Sequence, residues 1–300
     1  MRFSFWPNSA NPWSEILDVS QHAERTGWDG VWLADHFMPL GDDTSGPMQE
    51  CFTALAGLAA SVPRVRIGSI VAGNTYRNPA VLAKQAATID QIADGRFVLG
   101  IGAGWQENEH VAYGIEFSTV KGRLDRLEEA CALITSLFAN DQSNYDGHYY
   151  KLTGAPLVPK PVQPHMPLLV GGGGEKRTMR IAAEYADEWN VWGDPNLLAQ
   201  KGAVLEAHCM NLDRDPKTIR HSANALLYLS EDATWVADRK TRPAARPTIV
   251  GTPAEVVDIM GAYRDAGVDE IIIPDFNLGD PSRKRATMDL FINEVAPHVR

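Results

Sequence analysis

Three hundred residues, 44% hydrophobic and 22% charged with no low-complexity tract, make a chain long enough to bury a large core without covalent staples. A formal net charge of −10 weighs against nucleic acid, whose binding needs clustered cations, and no run approaches the ~18 apolar residues of a membrane span. Cys51, Cys131 and Cys209 lie far apart with no CxxC pair, and the N-terminus carries no signal-like apolar run; the expectation is a cytoplasmic protein with reduced thiols and neither membrane nor nucleic-acid partner.

Short apolar runs alternate with longer amphipathic stretches, the pattern of repeated βα units. Arg2–Trp6 reads as the first strand, followed by a helix from about Ser14, its N-cap, to Arg25; Leu17 cannot complete a capping box there. Gly30–Ala34 is the second strand, apolar as a strand buried on both faces should be, Cys51–Ala60 a small-residue helix, and Val65–Val71 the third strand. Asn78-Pro79 opens a helix to about Ala93, proline suiting the first turn because its missing N–H would be unpaired there. Arg96–Ile101 is the fourth strand. A loop to His110, a turn near Tyr113-Gly114 and a helix over about Lys121–Phe138 follow, and Asp146-Gly147 predicts a hairpin over Asn144–Leu152 outside the main sheet. Leu168–Val170, Glu188–Trp192, Ser222–Leu229 and Glu270–Pro274 complete eight strands. Helices at about Lys176–Ala186, Pro195–Asn211, Pro253–Ala266 and Ser282–Val295 fill the intervals. This alternation favours an α/β fold, a closed (β/α)8 TIM barrel forming one domain over residues 1–300. Insertions, including Glu231–Pro253, are expected at its C-terminal face.

Barrels of this kind carry their sites at the C-terminal ends of strands. Strand two ends in Asp35-His36, where a histidine can give or take a proton near neutral pH, as hydride transfer to a C–O or C–N group needs; a loop hydrogen bond would suit it equally. Strand five runs into Gly171–Gly174 and then Glu175-Lys176-Arg177-Thr178. One glycine would merely satisfy a tight turn, but four leave the amides at a helix N-terminus open to an anion, and Lys176, Arg177 and Thr178 add donors, so the segment points to a phosphate. Gly100–Gly104 (GIGAG) departs from a dinucleotide fingerprint, since Trp105 stands at the last glycine position, and reads as room for a flat ring against backbone. Most tryptophans near strand ends belong to the core, yet Trp105 and Trp192 are placed to wall an aromatic cofactor. No HExxH, paired Cys/His or GxSxG motif points to a metal or an activated nucleophile.

At WLADHF (Trp32–Phe37), TYRNPAVLAK (Thr75–Lys84), GRFVLGIGAGW (Gly95–Trp105), RLEEA (Arg126–Ala130) and VGGGGEKRTMRIAAEYADEWN (Val170–Asn190) the chain resembles the luciferase-like monooxygenase superfamily. Within it the likeness is to coenzyme F420-dependent oxidoreductases of actinobacterial type, from Arg2 to about Pro216 and again at the last strand. The resemblance implies F420 as cofactor, with FMN the alternative, a small-molecule substrate, a homodimer, and hydride transfer at the deazaflavin C5 with His36 as the catalytic proton carrier. It also implies a non-proline cis peptide at about Ser69-Ile70 behind the ring. The expected cofactor site comprises Asp35, His36, Ser69, Ile70, Val71, Trp105, Gly172, Gly173, Gly174, Glu175, Lys176 and Thr178; apart from the resemblance, Lys176, Arg177, Arg283 and Lys284 are the cations expected to form a positive rim for an anionic cofactor tail. The branch that oxidises glucose 6-phosphate carries a tryptophan where this chain has Leu40 and a glutamate where it has Trp105, with Glu107 two positions on. That departure favours a small carbonyl, quinone-like or unsaturated substrate. With FMN the same cleft implies a two-component monooxygenase; a barrel that only stores or senses the cofactor is the reading outside catalysis.

Overall fold

The computed structural model describes residues 1–41 and 43–300. Eight parallel strands form a ring: Arg2–Trp6, Gly30–Leu33, Arg66–Ser69 continued by Ala72–Gly73, Phe97–Gly102, Leu168–Gly171, Glu188–Trp192, Arg220–Asn224 and Glu270–Pro274. Strand one pairs with strand eight (Phe3↔Ile271) and strand three with strand four (Ile67↔Phe97), so the sheet closes. A helix follows each strand on the outside, from Trp13–Thr26 after the first to Pro281–Glu294 after the last, giving the (β/α)8 barrel. Among the described residues no helix is long and apolar enough to cross a membrane, and all three cysteines are buried free thiols.

Side chains facing the lumen recur at every second strand position. At the N-terminal end, Arg2, Arg66, Glu188 and Glu270 form a buried ionic floor. Glu270 accepts from Ser4 Oγ at 2.5 Å, Trp32 Nε1 at 3.1 Å and Arg66 Nη1 at 2.8 Å and forms an ion pair with Arg2 Nη2 at 3.0 Å, and Arg66 also pairs with Glu188. Burial pushes the Glu270 carboxyl up, but Arg66 and Arg2 outweigh it and hold it below the ordinary range. Above this floor Trp32, Val98, Leu169 and Ile272 pack with Trp6 and Ile70. Gly68 makes room for that layer, since a Cβ there would lie 2.3 Å from the Trp32 ring. The lumen is thus filled from below, and the cavity at its C-terminal mouth is lined by strand ends.

Several boundaries differ from the sequence reading. The first helix begins at Trp13 behind Pro12, whose carbonyl accepts from the Glu15 and Ile16 amides, so Ser14 lies in the first turn and is not the N-cap. Glu107–Tyr113 is a short helix closed by Gly114 in the left-handed region (φ 66°), where a loop was expected. The hairpin is present and longer, Gln142–Asp146 against Lys151–Pro156. Ser222–Leu229 is not one strand: the chain leaves the barrel after Asn224, and Leu226–Leu229 pairs with Thr248–Gly251 in a separate parallel ladder. The Glu231–Pro253 insertion is therefore tied down by that ladder and carries the helix Ala233–Lys240.

Strand three also departs from regularity. From Gly68 to Ala72 it takes four steps, while its partner strand takes three, Val98 to Ile101. The extra residue is a bulge of the kind that re-aims a strand beside a site. The non-proline cis peptide lies within it at Ile70-Val71, one residue beyond the expected Ser69-Ile70.

Removing Glu270 would leave Arg2 and Arg66 sharing Glu188 as the remaining carboxylate of a largely buried cluster. Glu270→Ala is expected to lower the unfolding free energy by about 3–5 kcal/mol. A urea midpoint equal to that of the native chain would show that the floor carries no such weight.

Candidate active site

The bulge exists because glycines receive it. A Cβ on Gly100 would stand 2.0 Å from the Ser69 carbonyl oxygen, one on Gly102 2.8 Å from Val71 Cγ2, and one on Gly171 2.8 Å from Val71 Cγ1. Gly100 and Gly102 thus seat the strand-three bulge; Gly102, Ala103 and Gly104 also line the cavity above it, whereas Gly100 does not. The Ser69 hydroxyl is buried and bonded to Gly100, donating to its carbonyl at 2.8 Å and accepting from its amide at 3.0 Å. Ser69 therefore fastens the bulge and does not reach the site, whereas Ile70 and Val71 do.

Over the bulge lies a cavity of about 750 Å³. Its walls come from the ends of strands one to seven: Trp6, Asp35-His36, Ile70–Gly73, Gly102–Gly104, Gly171-Gly172, Asn190–Trp192 and Asn224. Thr178, Trp105, Leu40, Tyr76, Phe276 and Arg246 also line it. Asp35 reaches this wall with its carboxylate already occupied. Arg77 grips it at 2.6 and 2.9 Å and the Gly73 amide donates at 3.0 Å, tying strand two to the bulged segment. Burial alone would lower the Arg77 guanidinium, but Asp35 and Glu50 together hold it above the ordinary arginine value.

His36 is oriented from behind. Its Nδ1 lies 2.7 Å from Oε1 of Glu109, a wholly buried carboxylate that also accepts from Tyr76 Oη at 2.8 Å and the Phe37 amide at 3.2 Å. Burial, then the bond to Glu109, push the Tyr76 phenol up, so it remains protonated and keeps donating. With Nδ1–H given to Glu109, Nε2 is left as the proton-accepting nitrogen of the neutral ring. Trp105, 62% exposed, stands edge-on to the imidazole with ring centroids 5.7 Å apart.

The glycine loop reaches the cavity through Gly172 (φ 125°) and the buried Thr178, the first residue of the helix Thr178–Tyr185. A Cβ on Gly174 would lie 2.9 Å from Thr178 Oγ1, so glycine leaves that hydroxyl uncovered. No side chain caps this helix. Gly173 packs on Val191, and neither it nor Gly174, Glu175 and Lys176 lines the cavity itself; they form the outer turn beside it. The expected positive rim is corrected: Arg177 pairs with Asp125 and Glu128, and Lys284 is buried between Glu15 and Asp275. Lys201, paired with Glu175 at 2.7 Å, is the cation beside the glycine turn.

The residues missed by sequence reasoning are Glu109, Tyr76, Trp6 and Arg246. Glu107, suggested by position, is exposed; Glu109 lies on the inner side of a helix of two turns, too short for its periodicity to stand out. Among the described residues no group of three or more His, Cys, Asp or Glu side chains is arranged to hold a metal.

A model of the family described as luciferase-like monooxygenase matches residues 1–244. The chain belongs to this family. Across the whole length it is 33% identical to an F420-dependent glucose-6-phosphate dehydrogenase of Nocardia farcinica, covering 95% of this chain and 94% of that protein. The enzyme of the same name from Amycolatopsis mediterranei is 35% identical over 57% of this chain and 50% of its own length. Like it, several relatives are matched over only about half their length. Among solved structures, the coenzyme F420-dependent tetrahydromethanopterin reductase of Methanopyrus kandleri superposes with a TM-score of 0.84, at 19% identity and 100% and 99% coverage, a likeness of fold.

Gly100→Ala would force a methyl into the Ser69 carbonyl. A loss of about 2–3 kcal/mol in unfolding free energy is expected, together with weakened binding of any ring seated on the bulge. A variant of native stability would mean that the bulge can relax away from strand four.

Proposed function

We propose that this chain is a coenzyme F420-dependent oxidoreductase that moves a hydride between the deazaflavin C5 and a small carbonyl, quinone-like or activated unsaturated substrate. The observation that carries this reading is His36, locked by a buried carboxylate at the edge of a cavity whose floor is a bulged strand. Full-length similarity to enzymes named for F420 supports the choice of cofactor.

The lining fits the group. Ile70 and Val71 offer a flat apolar seat for a tricyclic ring, with Trp105 at the mouth. Gly172, Gly173 and Gly174 with the Thr178 hydroxyl would hold its phosphate, the dipole of the helix favouring negative charge. Glu175 and Lys176 would border the cofactor's outer end. Asp35 acts as a positioning residue through Arg77 and Gly73. A bound deazaflavin supplies the carbon that takes or gives hydride. His36 Nε2 holds or takes the accompanying proton. Glu109 fixes the tautomer and stabilises the imidazolium, and Tyr76 and the Phe37 amide keep Glu109 in place. Leu40 and Trp105 line the cavity together with His36.

Titration of the protein with F420 and with FMN, followed by tryptophan quenching, tests the cofactor. F420 is expected to bind at least tenfold more tightly; the reverse order would replace this reading with an FMN-dependent two-component monooxygenase. With reduced F420 and menadione, His36→Ala is expected to lose about 10²-fold or more in turnover while its affinity for F420 stays within twofold. Unchanged turnover would remove His36 from the reaction.

A further inference from the structure

We infer that the N-terminal mouth of the barrel, at the opposite end from the candidate active site, carries an anion site in which Arg2, Arg220 and Arg264 take a phosphate group, free or as the ester of a small molecule. It is separate from the cavity described above and does not depend on which cofactor that cavity takes.

Strand register brings the cations together. Arg2 stands beside Glu270 and Arg220 beside Glu188. Residues in register on neighbouring strands present their side chains to the same face of a sheet, so Arg220 joins Arg2 and Arg66 in the ring of residues at this end of the lumen. Three guanidiniums there meet two carboxylates. Arg66 pairs with both Glu188 and Glu270, and Arg2 pairs with Glu270. Arg220 is exposed and has no ion-pair partner among the described residues.

Beneath this ring lies a cavity of about 440 Å³, lined by Arg2, Arg220, Arg264, Gly267, Val268 and Asp269. Arg264 comes from the last turn of the helix Pro253–Asp265 and meets Asp265 at 3.5 Å on the surface. Asp269 is the one carboxylate of the lining, and its Oδ2 accepts the His221 amide at 2.8 Å. A chain with a net charge of −10 therefore gathers three arginines around one small space. Arg2 registers the excess. Burial lowers its guanidinium, and although Glu270 and Glu188 oppose this, Arg66 and Arg220 add to it, leaving Arg2 below the ordinary arginine value.

The chemistry of the ligand follows from the donors. A guanidinium offers paired N–H groups that match two oxygens of one oxyanion. A phosphate, carrying about −1.5 to −2 charge near neutral pH, answers more of the local excess than a halide or a single carboxylate. Bound there, it would relieve the repulsion among the arginines and stabilise the folded barrel by mass action.

Thermal unfolding of the native chain and of Arg220→Gln, in phosphate and in chloride of matched ionic strength, tests the site together with calorimetric titration of inorganic phosphate and glycerol 3-phosphate. Phosphate is expected to raise the native midpoint above that in chloride. In chloride Arg220→Gln should unfold at a higher temperature than the native chain, because a repulsion is gone. It should also lose the response to phosphate and bind inorganic phosphate about tenfold more weakly. Tighter binding of glycerol 3-phosphate would assign an ester as the ligand, and tighter binding of inorganic phosphate the free anion, each with the same dependence on Arg220. Equal phosphate affinity in the two proteins would overturn the site, as would equal midpoints of the native chain in phosphate and chloride. A loss of phosphate binding in Thr178→Val but not in Arg220→Gln would place the anion at the glycine loop instead. A lower midpoint for Arg220→Gln in chloride would contradict the unbalanced charge on which the site rests.

Discussion

Strand three cannot run straight through this barrel. It carries one residue more than strand four between Gly68 and Ala72, and that residue fits only because Gly100, Gly102 and Gly171 have no side chains where the Ser69 carbonyl and the Val71 side chain must lie. The rest of the site follows from this misfit. The bulge lifts Ile70 and Val71 to the floor of the cavity, brings the Gly73 amide to Asp35, and sets Tyr76, whose ring lies against Gly73, within reach of Glu109. A backbone irregularity in the sheet is thereby converted into a fixed position for His36.

The two ends of the barrel handle charge in different ways. At the floor, two arginines and two carboxylates neutralise one another in a closed, filled lumen, which suits stability. At the mouth, the carboxylates of Asp35 and Glu109 are each surrounded by donors, and His36 is the side chain they leave with a nitrogen to use. The division matches the general barrel pattern, in which one end holds the fold together and the other varies its chemistry.

Much of this was legible from the chain. The β-branched runs at regular spacing specify eight strands, and the Asp35-His36 pair and the glycine loop fall at strand ends where the structure brings them to one cavity. What escaped was non-local. Gly100 looks like part of a ring bed until the neighbouring strand is known to bulge into it, and Ser69 looks available until its hydroxyl is found bonded to Gly100. Strand seven reads as continuous to Leu229 because hydrophobic pattern does not say which sheet a strand joins. Glu109 escaped because two turns of helix carry too little periodicity, and Arg177 because cations adjacent in sequence to a glycine loop need not face it.

The most direct test of the central claim is a crystal structure of the protein with F420. The ring is expected with one face on Ile70 and Val71, its edge toward His36, and the phosphate at Gly172–Thr178. A ring bound elsewhere, or one standing clear of the strand-three bulge, would contradict it.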